Sequence, residues 1–110
     1  MIQLMMYRLV HVKMISHVAI SVGHEETVSN ILPLLDPLSE DHEPAIKQQL
    51  LQQMTELAKF SKKYGEEGYL AIIHHILPVT AKLLEDEKAE VRYAASQTLA
   101  EIANLLKPED

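Results

Sequence analysis

The chain has 110 residues, 47% of them hydrophobic, with one Phe, no Trp and three Gly; this is one domain's worth of sequence with material for a modest core and no convincing strand alternation. The absence of Cys excludes disulfides, thiolate catalysis and cysteine metal sites, and suits a reducing compartment. A formal net charge of −6 argues against a general nucleic-acid surface, because phosphate binding relies on clustered Lys and Arg.

Residues 1–24 carry Arg8 and Lys13 and no acid, leaving −8 on the remainder. Such a start is compatible with an organelle transit peptide. However, Gln3, Tyr7, Arg8, His11, Lys13, Ser16 and His17 interrupt the apolar residues, so a secretory core and the roughly 18-residue run of a membrane span are both missing. A helix of the fold over 2–20 fits better, with Ile2, Met5, Met6, Leu9 and Val12 at helical spacing and Leu4, Val10, Met14, Ile15 and Val18 covering much of the rest. Apolar nearly all round, it expects burial on more than one side. A second helix, 25–35, places Val28, Ile31, Leu32 and Leu35 on one stripe and starts acidic, as the helix dipole prefers.

A polar connection containing Pro37 closes on Pro44, which fits the first turn of a third helix marked by Ile46, Leu50, Leu51, Met54, Leu57, Ala58 and Ser61. Lys62 and Lys63 suit its last turn, and Gly65 and Gly68 are expected to stop it. A fourth helix, 69–84, turns Ile72, Ile73, Ile76, Leu77, Thr80 and Leu83 or Leu84 inward. After the short acidic turn Glu85-Asp86-Glu87, a fifth carries Val91, Ala94, Ala95, Thr98, Leu99, Ile102, Ala103 and Leu106 and is ended by Pro108.

Residues 31–60 and 76–105 are the same pattern written twice at an offset of 45. Ile31-Leu32-Pro33 returns as Ile76-Leu77-Pro78, Leu38 as Leu83, Glu40-Asp41 as Glu85-Asp86, Gln52 as Gln97, Glu56 as Glu101 and Ala58 as Ala103. A fixed period of this size with helical patterning marks an α-solenoid. Pro33 and Pro78 share one register, so each unit is expected to contain a built-in kink.

These residues resemble HEAT repeats: a helix with an internal proline, a turn bearing Asp, and a second helix opening on Val-Arg, supplied by Pro78, Asp86 and Val91-Arg92 and repeated by Pro33, Asp41 and Ile46-Lys47. The resemblance implies an all-α, α-α superhelix (HEAT/armadillo-like) of about two and a half helical hairpins. In it 1–23 is the second helix of an incomplete repeat, 24–65 and 69–107 are repeats, and 1–110 is a single domain. It also makes Pro33, Asp41, Lys47, Pro78, Asp86 and Arg92 structural, the Asp and cationic residues forming a ladder between repeats. Lys47 lacks the planar fork of an arginine, so its rung should be weaker. Pro37 should end or bend the first unit's helix by Asp36 and lengthen the turn that follows.

The stretch Glu40-Asp41-His42-Glu43-Pro44, with the helix after it and the Ile76-Leu77-Pro78 unit, is similar to the N-terminal repeats of regulatory subunit 1 of protein phosphatase 4, a relative of the phosphatase 2A scaffold. That resemblance implies a non-catalytic, cytoplasmic or nuclear subunit that binds a Ser/Thr phosphatase and helps select substrates. The partner-binding residues are then those on the turns: Asp41, His42, Glu43, Glu87, Lys88 and Glu90. The alternative is a HEAT adaptor for an unrelated protein. No cofactor, metal, nucleic acid or membrane is expected.

An enzyme or metal protein is the remaining class. His74 and His75 are adjacent, about 100° apart on a regular helix, and so should not face one site. His17 and His24 lack an acidic neighbour before Glu25, and no phosphate loop, His-Glu-x-x-His motif or nucleophile elbow occurs. Met1, Met5, Met6, Met14 and Met54 are expected to fill the core. An uncovered first helix presenting Met5, Met6, Leu9 and Val10 predicts self-association through that end or a disordered N-terminus.

Overall fold

A computed structural model describes the backbone of residues 2–108 and the side chains of residues 4–108; Met1 and the side chain of Ile2 lie outside these. Six helices make up the fold, and the described residues contain no strand. They are α1 (Ile2–Lys13), α2 (Ile15–Val22), α3 (24–38), α4 (Pro44–Lys62), α5 (65–83) and α6 (Ala89–Leu105). The central helix α4 touches all the others: α1 and α2 flank it on one side, α6 on the other, and α3 and α5 form a second layer. This is the all-α helical repeat that the 45-residue period predicts.

The apolar stripes fill the space between the layers. Ile46, Leu50, Met54 and Leu57 of α4 meet Leu32 and Leu35 of α3, Ile72 and Ile76 of α5, Val12 and Ala19 of the N-terminal helices, and Ile102 of α6. A smaller cluster joins Leu51 to Leu83, Val91 and Ala95. Each fully buried aliphatic side chain contributes about 1.5–3 kcal/mol relative to exposure. Met54 is buried and Met5 packs against this core, but Met6 and Met14 stand in solvent, so only part of the methionine set fills it. No described helix is long and apolar enough to cross a membrane.

The expected first helix is two helices. At Met14 the chain turns, and the amide of Ser16 leaves the helical ladder to donate to Gln53 Oε1 at 2.9 Å. Gln53, only 7% exposed, thereby satisfies one of the orphan N–H groups at the start of α2. Gly23, at φ 92° and ψ 167°, ends α2 and opens α3.

Both internal prolines follow one wide, i→i−5 turn. Thr27–Ile31 precedes Pro33 and Ile72–Ile76 precedes Pro78, again 45 residues apart, closed by Leu32 N–H to Thr27 C=O and Leu77 N–H to Ile72 C=O. The wide turn makes room where a proline ring would strike the carbonyl four residues back. After it, α3 tightens into a 3₁₀ turn at Leu32–Leu34 and restarts at Leu35–Leu38, with Pro37 inside the first turn of that restart. Pro37 therefore does not end the helix at Asp36. The turn after α3 is consequently no longer than its counterpart: Leu38 and Pro44 bound one, Leu83 and Ala89 the other.

α5 begins at Gly65, four residues earlier than expected. Gly65 takes φ 63° and supplies the left-handed position. Gly68 does something else: it is buried within the helix, and a Cβ there would lie 1.6 Å from the Ser61 carbonyl oxygen. It sets how closely α5 crosses the end of α4.

Candidate functional site

The turns at one edge of the fold are built to a single plan. Asp41 Oδ1 accepts the Glu43 amide at 2.9 Å and Asp86 Oδ2 accepts the Lys88 amide at 3.0 Å. Glu43 and Lys88 then open α4 and α6 with matching extended dihedrals, φ −89°, ψ 121° and φ −92°, ψ 128°. Each Asp also receives a cation from the preceding unit: Lys47 Nζ reaches Asp86 at 2.5 Å, and Arg8 Nε reaches Asp41 at 2.7 Å. Of the cations expected in a ladder, Lys47 makes such an inter-unit pair and Arg92 does not; Arg8, outside the expected set, makes the other.

The Lys47–Asp86 rung is the more enclosed, with side chains 17% and 7% exposed against 44% and 11% for Arg8–Asp41. The two contacts of Arg8, 2.7 and 3.4 Å, use the fork that Lys47 lacks. Burial by itself would raise both Asp pKa values. The Arg8 hydrogen bond, the Glu43 amide and the Arg8 and His42 charges nevertheless hold the Asp41 carboxyl below the ordinary range. The Lys47 hydrogen bond, the Lys88 amide and the Lys47 and Arg92 charges do the same for Asp86. Arg92 donates to the carbonyls of Asp86 and Glu87 at 2.7 and 2.9 Å, closing the turn it follows.

Arg8 escapes a reading at offset 45, because that shift sets Ile2, not Arg8, against Lys47. The interval from cation to Asp is 33 residues in the first rung and 39 in the second. The signal available in the sequence was a lone Arg in an acid-free segment, at a distance the period did not suggest.

With the Asp residues engaged, the exposed groups of the edge are others. His42, Glu87 and Lys88 line a cleft of about 430 Å³ together with Glu40, Lys82 and Glu85. Lys82 spans the two units, 3.1 Å from Asp36 and 3.7 Å from Glu40. Glu43 is half-buried beside Pro44. Glu90 lies elsewhere, on a groove of about 730 Å³ between α4 and α6.

His74 and His75 do border one cleft, of about 410 Å³, with His24, Glu25 and Glu67. The wide turn Ile72–Ile76 carries both of them. His24 is buried, stacks on Tyr64 at 4.4 Å and shares a 3.1 Å hydrogen bond with Ser61 Oγ. Burial lowers its pKa, with Glu67 opposing. Among the described residues, no group of three or more His, Cys, Asp or Glu side chains is arranged to hold a metal ion.

A family described as PIK3R4-like, middle domain, matches residues 2–107. The chain belongs to this family. The PIK3R4-like middle domain is HEAT-like and helical, of scaffold type and not catalytic. It is a different family from regulatory subunit 1 of protein phosphatase 4, so the resemblance holds at the level of the HEAT-like fold. No curated protein and no solved structure matches the chain.

Proposed function

We propose that the chain is a non-catalytic scaffold segment that binds a protein partner along the edge formed by its turns. The observation that supports this most directly is the division of labour there. Asp41, Lys47, Asp86 and Arg92 are consumed in fixing the turns, while His42, Glu87 and Lys88 stand exposed on a cleft that the two units build together. A surface whose backbone is held by inter-unit rungs loses little conformational entropy on docking. Glu43 flanks this edge.

The test is affinity capture followed by mass spectrometry, comparing the wild-type chain with a His42→Glu, Glu87→Lys, Lys88→Glu variant of unchanged helix content. A defined partner held by the first and lost from the second is expected. The same background proteins on both would sink the proposal.

A second reading names the partner as a Ser/Thr phosphatase of the 2A/4 type, with the chain helping to select substrates. It is favoured by the Glu40-Asp41-His42-Glu43-Pro44 turn alone. Capture of phosphatase catalytic subunit by wild-type protein and not by the turn variant separates it from an adaptor for an unrelated protein.

A further inference from the structure

The groove between α4 and α6 lies away from the ladder and is lined by one motif used twice. Gln52 and Glu56 on α4 return as Gln97 and Glu101 on α6, each pair one helical turn apart and each exposed on the groove. Equivalent side chains on the two helices are thus related by one repeat step, about 8–10 Å between packed helix axes. Thr98 Oγ1 bonds the Leu51 carbonyl at 3.4 Å beneath the groove, tying the two helices together. Gln53, nine-tenths buried, also contributes to the wall, its Oε1 already engaged by Ser16.

From this array we infer that the groove binds an extended basic segment of another protein, in the polyproline II conformation, with Lys or Arg at every third position. Polyproline II advances about 3.1 Å per residue with three residues per turn, so like side chains recur every ~9 Å on one face. That matches the repeat step. Its backbone makes no internal hydrogen bonds, leaving N–H and C=O groups for side-chain amides such as those of Gln52 and Gln97. The Gln97 amide is oriented by its 3.2 Å bond to Tyr93 Oη, which directs its carbonyl oxygen to serve as the acceptor.

Charge sets the sign of the ligand. Glu56, Glu90 and Glu101 face the groove against one cation, Lys59, which lies 3.7 Å from Glu56. Tyr93, 66% exposed at the rim, offers a face on which a guanidinium or a proline ring stacks. The surface is separate from the turn edge and its ligand need not be the partner held there.

The experiment is fluorescence anisotropy with two labelled 12-residue peptides of identical composition, rich in Pro, one with Lys at every third position and one with its Lys contiguous. The spaced peptide is expected to bind about tenfold tighter than the contiguous one. Glu56→Gln with Glu101→Gln should lose about tenfold in affinity, Gln52→Ala with Gln97→Ala about fivefold, and binding should weaken with salt. The exposed acid Glu66 serves as control, and Glu66→Gln, like the turn-edge variant, is expected to bind as wild type. Equal affinity for both peptides, equal loss in the control, or no binding of the spaced peptide overturns the inference. Because the turn-edge variant is tested in parallel, failure of this groove is distinguishable from failure of the turn edge.

Discussion

Three glycines sit at three different kinds of position, and their replacement separates those kinds by energy. Gly68 has a close approach: a Cβ meets the Ser61 carbonyl carbon and oxygen at 2.6 and 1.6 Å, both backbone atoms that cannot rotate away. Gly68→Ala is expected to destabilise the fold by about 3 kcal/mol or more. Gly23 has open space but a backbone conformation that is essentially glycine-only, so Gly23→Ala should cost about 1–3 kcal/mol. Gly65, in the ordinary left-handed region, should cost about 1 kcal/mol. Urea unfolding of the three variants checks this order, and a mild Gly68→Ala would show that α5 can shift along α4. His24 supplies a second test at the same scale. Its pKa is lowered in the fold by burial, so the unfolded chain takes up the proton first. Stability therefore falls as pH drops below about 6.5, the unfolded His value. Replacing His24 with Leu should flatten the melting temperature between roughly pH 7 and pH 5, whereas an unchanged slope would place the titration elsewhere.

At the scale of elements, the Asp residues of the ladder do two jobs and the cations only one. Asp86 joins Lys47 and also accepts the Lys88 amide that starts α6. Asp86→Ala should then cost about 2–3 kcal/mol, and Lys47→Ala about 1 kcal/mol, with Asp86→Asn between them because it keeps the amide contact. Both Asp carboxyls are depressed in the fold, so their contribution is complete above the unfolded value near 4 and is lost as pH falls through it toward the folded value. Acid unfolding of Asp86→Asn beginning at the wild-type pH would contradict the assignment. The sequence made much of this legible. The stripes of α4 and α6, the equivalence of Asp41 with Asp86 and the presence of a kink before each proline all follow from residue pattern and period. The form of the kink did not, because a wide turn and a simple bend place Pro33 and Pro78 in the same register. Nor did the break at Met14: it depends on Gln53 reaching Ser16 across 37 residues, a contact that local periodicity does not encode. Arg8 was missed for the same reason, since its role is fixed by the three-dimensional reach of α1 to the first turn.

For the molecule as a whole, the consequential asymmetry is that α4 is covered on both sides while α1 and α2 cover it and are themselves bare. Met5 and Leu9, expected at the bare end, pack against the core instead, but Leu4, Met6, Tyr7 and Val10 of α1 and Val18, Ile20 and Val22 of α2 are exposed, Tyr7 at 63%. We propose that these exposed apolar side chains associate with a second copy of the chain. The expected outcome is concentration-dependent self-association in solution, seen as a rise in mass by light scattering or sedimentation. Replacing Leu4, Tyr7, Val10 and Val18 with Gln or Ser should abolish the rise without loss of helix signal, because none of these side chains belongs to the core. A wild-type chain that stays monomeric across the concentration range, or a variant that associates as before, would show that this surface does not bind another copy.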